Sequence, residues 1–199
     1  IMYYMVVTFS ITYMATQLKM DTSTILGLML VAHVFHAILV PIVGRFTDSR
    51  GRRPVYATGV VLMAVWGVAA FPLFNTGNDA VILATIMLGL FVHGLMYAGQ
   101  PAIMAEMFPT RMRYSGVSLG YQVTSIVAGS MAPIIATFLL KVYGSWVPVA
   151  GYIVFAAAVT MVAVYFMKET KGLDLGEIDE ADRLAVNGGA ASSAEMKMQ

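Results

Sequence analysis

Gly44-Arg45-Phe46-Thr47-Asp48-Ser49-Arg50-Gly51-Arg52-Arg53 packs four arginines and one carboxylate into ten residues between two long apolar runs. A helix needs about 20 mostly apolar residues to cross the roughly 30 Å hydrocarbon core of a bilayer. The flanking runs, 24–43 and 54–74, reach that length without an Asp, Glu, Lys or Arg. The basic stretch therefore reads as a short loop at a membrane surface, joining two spanning helices.

Working outward, uncharged runs recur at 1–18, 80–105, 117–140 and 146–167. The separators are turn chemistry: Asn75-Thr76-Gly77-Asn78-Asp79 and Tyr143-Gly144-Ser145. Pro54 opens its run, where the first turn of a helix tolerates proline. The expected fold is an all-α membrane protein with six transmembrane helices over residues 1–171, the first helix cut short at its start and lacking the charged leader of a signal peptide. Residues 172–199 turn polar and small, with an acidic stretch and then a Gly/Ala/Ser run, and read as a disordered cytoplasmic tail.

The composition agrees. Of 199 residues, 59% are hydrophobic and 12% charged, and the charges are clustered, which excludes an ordinary soluble domain. No basic footprint for nucleic acid appears. The absence of cysteine removes disulfides, thiolate metal sites and cysteine nucleophiles. No cofactor or metal is expected, and the sixteen methionines read as flexible apolar filler.

Assigning loops to alternate sides gathers Arg45, Arg50, Arg52, Arg53, Arg111, Arg113, Lys168, Lys171, Arg183 and Lys197 on one side, against Lys19 and Lys141 on the other. Lys and Arg accumulate on the cytoplasmic side of membrane proteins. Both ends of a chain in the plasma membrane are then expected inside.

The spacing Gly44-x-Phe46-x-Asp48-x-x-Gly51-Arg52-Arg53 resembles the signature loop of the major facilitator superfamily of secondary transporters, with Ser49 where that family usually has a basic residue. Ala105-Glu106-Met107-Phe108-Pro109-Thr110-Arg111-Met112-Arg113-Tyr114-Ser115-Gly116, running on to Gln122, is similar to its metabolite:proton symporter subfamily. Lys168-Glu169-Thr170-Lys171-Gly172 resembles the Pro-Glu-Thr-Lys-Gly sequence of sugar porters, with Lys168 in place of the proline. The order of the motifs implies the second half of a twelve-helix carrier, whose missing N-terminal half would complete a midplane substrate site. By the same resemblance, the loop built from Gly44, Asp48, Arg50, Gly51, Arg52 and Arg53 would help hold one conformation. A small metabolite and protons are the implied cargo.

Within the spans, polar side chains facing lipid are costly, so polar stripes point to the interior. His93, Tyr97 and Gln100 share a helical face and are candidate cavity residues. Tyr4 and Thr8, at the same spacing on the first run, and Gln122 on the fifth, join them. His33 and His36, three apart, are candidate proton-linked groups, because histidine changes charge near physiological pH. They read equally as neutral packing histidines. Glu106 is placed to pair with Arg111 and Arg113 across the next loop. Gly44 is expected to permit close backbone approach or a tight turn.

Two other readings compete. The chain can pair with a copy of itself to build a cavity, or be an inactive fragment. A membrane-embedded enzyme requires a metal cluster or a paired acid and base, and the sequence offers only scattered histidines.

Overall fold

The computed structural model describes residues 1–106 and 108–167, together with 176, 180, 183 and 184; of Val127 and Ala128 only the backbone is described. All regular structure among these residues is helical. In order it comprises α1 (Met2–Tyr4), the π-helical turn π1 (Met5–Phe9), α2 (Ser10–Thr16), α3 (Thr22–Arg50), α4 (Arg52–Phe74), α5 (Asp79–Tyr97), α6 (Gln100–Glu106), α7 (Thr110–Thr124), π2 (Ser125–Ser130), α8 (Met131–Tyr143) and α9 (Val147–Phe166). The tail beyond 171 and the motif starting at Lys168 lie outside the described residues, apart from the four isolated positions.

Helix starts follow local chemistry. The first amides of a helix lack intrahelical acceptors, so a side-chain oxygen supplies one. Asp21 accepts from the Ser23 and Thr24 amides at 2.9 and 3.2 Å. Asn78 does the same for Ala80 and Val81.

Four stretches are long and apolar enough to cross a membrane: Thr22–Arg50, Arg52–Phe74, Asp79–Glu106 and Val147–Phe166. The other two expected spans take a different form. Residues 1–18 are helical but interrupted by π1, and 117–140 divides into a polar α7, π2 and the short apolar α8. An i→i+5 turn inserts one extra residue and rotates everything beyond it, a displacement that hydropathy does not register.

Helices in lipid associate through close packing more than through the hydrophobic effect. Here α4 sits centrally, against α5 on one side and α9 on the other, while α3 packs on α5. An aromatic cluster of Phe9, Tyr13, Trp66, Phe71, Phe74 and Trp146 holds one end together. Its polar edges are satisfied: the Trp66 indole donates to the Thr85 carbonyl at 2.9 Å and the Tyr13 hydroxyl to Asn75 Oδ1 at 2.8 Å. The opposite end carries the basic turn.

Candidate functional site

The basic segment is not the loop its composition suggests. Helix α3 runs through Gly44, Asp48 and Ser49 to Arg50, and Gly51 alone separates it from α4. Charge at a membrane boundary costs little, so nothing compels the helix to stop at Arg45. Gly51 is the true break: its φ of 101° and ψ of 146° lie where a Cβ is strained. Gly44 makes neither a turn nor a close approach among the described residues, since a Cβ there would meet none of their atoms within 4 Å.

Arg52 is the hub of the turn. Its guanidinium pairs with Glu106 at the end of α6 and reaches Asp48 of α3 at 3.5 Å. Arg52 and Glu106 are mostly covered, with side chains 15% and 13% exposed, whereas Asp48 is 67% exposed. Arg53 points another way, donating to the carbonyls of Val164 and Tyr165 at 3.1 and 2.7 Å and capping the end of α9. Arg50 lies over the Phe46 ring. One short segment thus ties α3, α4, α6 and α9 together.

The expected Glu106 pairing is redirected. Its partner Arg52 comes from an earlier helix, while Arg113 donates to the carbonyls of Ala105 and Phe108 and to Thr110 Oγ1. Ala105 lies in the last turn of α6 and Phe108 in the turn before α7, so their carbonyls are open to the nearby guanidinium. Arg111 stands exposed in the first turn of α7.

Away from this turn lies a cavity of about 570 Å³. Of the residues expected to line it, Tyr4, His93, Tyr97 and Gln100 do; Thr8 and Gln122 do not. The π1 turn breaks the four-residue repeat after Tyr4, so Thr8 is exposed and its carbonyl accepts from Thr12. Gln122 lies on the exposed side of α7, and Thr124 and Ser125 reach the cavity in its place. Gly129 of π2 lets the Tyr4 ring approach: a Cβ there would fall 2.7 Å from Tyr4 Cε2.

The histidines divide. His33 donates from Nδ1 to the Met29 carbonyl at 2.7 Å, which leaves Nε2 to accept from the Tyr3 hydroxyl at 3.4 Å. His36 instead meets His93 of α5, with Nε2 and Nδ1 3.2 Å apart. Tyr3 and Tyr97 lie against His93 with ring centroids 5.1 Å away, Tyr97 stacked. Among the described residues no group of three or more side chains can hold a metal.

Sequence reasoning missed Tyr3, Tyr56, Tyr121 and Thr160, all of which line the cavity. Tyr3 adjoins Tyr4 on α1, Tyr56 is the one tyrosine of α4, and Tyr121 stands seven residues after Tyr114 on α7, so only the last had a helical repeat to flag it. Thr160 carried a signal, as a polar side chain deep in the apolar α9, although it is partly satisfied by donating to the Ala156 carbonyl at 2.7 Å.

The family model described as Major Facilitator Superfamily matches residues 1–188. Among curated proteins, the chain is 33% identical over 165 residues to the inner membrane metabolite transport protein YhjE of Escherichia coli K12, covering 82% of this chain and 37% of that protein. It is 32% identical to the ectoine/proline transporter ProP of Corynebacterium glutamicum, over 79% of this chain and 31% of that one. With the shikimate transporter of Escherichia coli K12 the figures are 28%, 84% and 39%. The matched region thus spans about a third of these relatives' length. No solved structure matches significantly. The relatives are named for transport, not for catalysis, and with the apolar helices, the basic turn and a family match over nearly the whole sequence they lead to one conclusion: the chain belongs to the major facilitator superfamily of membrane transporters.

Proposed function

We propose that this chain is a six-helix half of a twelve-helix carrier in the plasma membrane, both ends cytoplasmic, moving a small organic acid or zwitterion by alternating access with proton coupling. In this reading α1 to α2 and α7 to α8 are the two further membrane crossings, each bent by its π turn. The observation that carries it is the cavity. Its volume of about 570 Å³ is suited to a metabolite, and it opens beside α7, a helix with no buried residue.

Ser115, Ser118 and Gln122 are exposed on that helix, and lipid is a poor solvent for such groups. A protein wall supplied by a second helical bundle suits them better. The length of the relatives leaves room for that bundle, since the matched region accounts for only 31–39% of them. Proline, ectoine and shikimate all bear a carboxylate, and tyrosine rings around the cavity can face the cationic end of a zwitterion. The Asp48–Arg52–Glu106 contacts, at the end of the bundle opposite the aromatic cluster, would lock the cytoplasmic side in one state.

The test is uptake into proteoliposomes of shikimate, proline and glycine betaine by this chain co-expressed with a six-helix N-terminal half, with and without a pH gradient. Uptake of at least one solute that needs both halves and rises with an inward proton gradient is expected. Transport by the chain alone would instead favour pairing of two copies, and no uptake of any solute by the assembled pair would sink the reading.

A further inference from the structure

Among the described residues, the cavity wall contains no Asp, Glu, Lys or Arg side chain. The imidazoles among its described residues are those of His36 and His93, which are hydrogen-bonded to each other through Nε2 and Nδ1 at 3.2 Å. That bond fixes the pair's proton capacity. It uses one N–H and one lone pair, so in the neutral pair one of the two outer nitrogens, His36 Nδ1 or His93 Nε2, is bare and the other carries hydrogen. One added proton fills the bare position and leaves both outer nitrogens as donors. A second would set two N–H groups and two positive charges against each other across the bridge, which is prohibitive.

We propose that the His36–His93 pair takes up one proton together with the carboxylate of the transported metabolite, so that this site couples the two. The proposal rests on the transport reading above and assigns the coupling step to particular residues. An imidazolium alone in an apolar wall is costly, and so is a carboxylate alone. Bound together, each offsets the cost of the other, and by linkage the proton tightens the anion as much as the anion tightens the proton.

The neighbours permit this. From α1, the Tyr3 ring lies against His93; from α5, Tyr97 stacks on it, an arrangement that favours a cationic ring. Tyr4, Tyr56 of α4 and Tyr121 of α7 are the remaining tyrosines of the wall among the described residues. His33 of α3 is spoken for by Met29 and Tyr3 and does not line the cavity.

The experiment uses the purified chain in detergent with 15N-labelled histidine, of which there are three. Binding of shikimate and of glycine betaine is measured between pH 5 and pH 9, and the ring nitrogens are titrated with and without each probe. Added shikimate or betaine is expected to raise the titration midpoint shared by His36 and His93. Above that midpoint, probe affinity should fall about tenfold per pH unit, the signature of one linked proton. His36→Gln and His93→Gln should each flatten that slope, His33→Gln should keep it, and the uncharged methyl ester of shikimate should show none.

The proposal is overturned by any of the following: pH-independent binding, a slope retained in both cavity variants, or failure of both carboxylates to bind. Should a variant fail to fold, the ring titration of the unaltered chain decides, because midpoints unmoved by bound probe are equally fatal. Failed uptake by the assembled carrier alongside an intact carboxylate-linked slope would sink the transport reading and leave this site standing.

Discussion

Asp48 and Glu106 both meet Arg52, yet exposure separates their roles. An exposed pair contributes at most about 1 kcal/mol, whereas stranding a largely covered charge costs roughly 3 kcal/mol or more. Asp48→Asn should therefore leave membrane level and thermal stability nearly unchanged while impairing uptake by the assembled carrier; normal uptake would remove its gating role. Glu106→Gln should lower the unfolding midpoint of the chain in detergent clearly more than Asp48→Asn does, and equal midpoints would show that the Arg52–Glu106 pair is worth no more than a surface contact. At Gly51, an alanine has to adopt a φ near 101°, a strain on the order of 1–3 kcal/mol, so Gly51→Ala is expected to destabilise the chain on the same assay. These distinctions were half legible in the sequence. The motif announced that arginines and a carboxylate meet, but its spacing did not reveal that Arg52 would choose Glu106, far away on α6, or that Arg53 would face α9.

Helices α3, α4, α5 and α9 were legible because hydropathy over twenty residues is a strong and additive signal. The π turns were not, because a change of one residue in hydrogen-bond register leaves composition untouched. That difference bears on the cavity: His93 and Tyr97 follow the regular periodicity of α5 and Gln100 opens α6, while Thr8 lies inside π1. The contact between His36 and His93, 57 residues apart, is a product of packing and has no local signature. Packing also sets the stability of the elements. Ile153 of α9 is fully buried, so Ile153→Ala should cost about 2–4 kcal/mol in a reversible unfolding assay. Gly44 offers the opposite case: Gly44→Ala fills open space within a helix and should stabilise the chain by up to roughly 1 kcal/mol. A loss of uptake in the same variant would locate the second bundle against α3, and unchanged uptake would place it elsewhere.

For the whole molecule, sidedness is the testable property. The sequence lacks cysteine, so single thiols can be introduced at will. Ser49 and Thr76 are both exposed and stand at opposite ends of α4, whose 23 residues extend about 34 Å. A membrane-impermeant maleimide should label Thr76→Cys in intact cells and Ser49→Cys only after permeabilisation; the reverse pattern would invert the topology. The bond from Arg53 to the final carbonyls of α9 also bears on how the protein is made. Its acceptors are encoded more than a hundred residues downstream, and a ribosome adding about 5–20 residues per second needs several seconds or longer to deliver them. The clasp between α4 and α9 therefore closes only after α9 has been synthesised, which makes it a late contact in the assembly of the bundle.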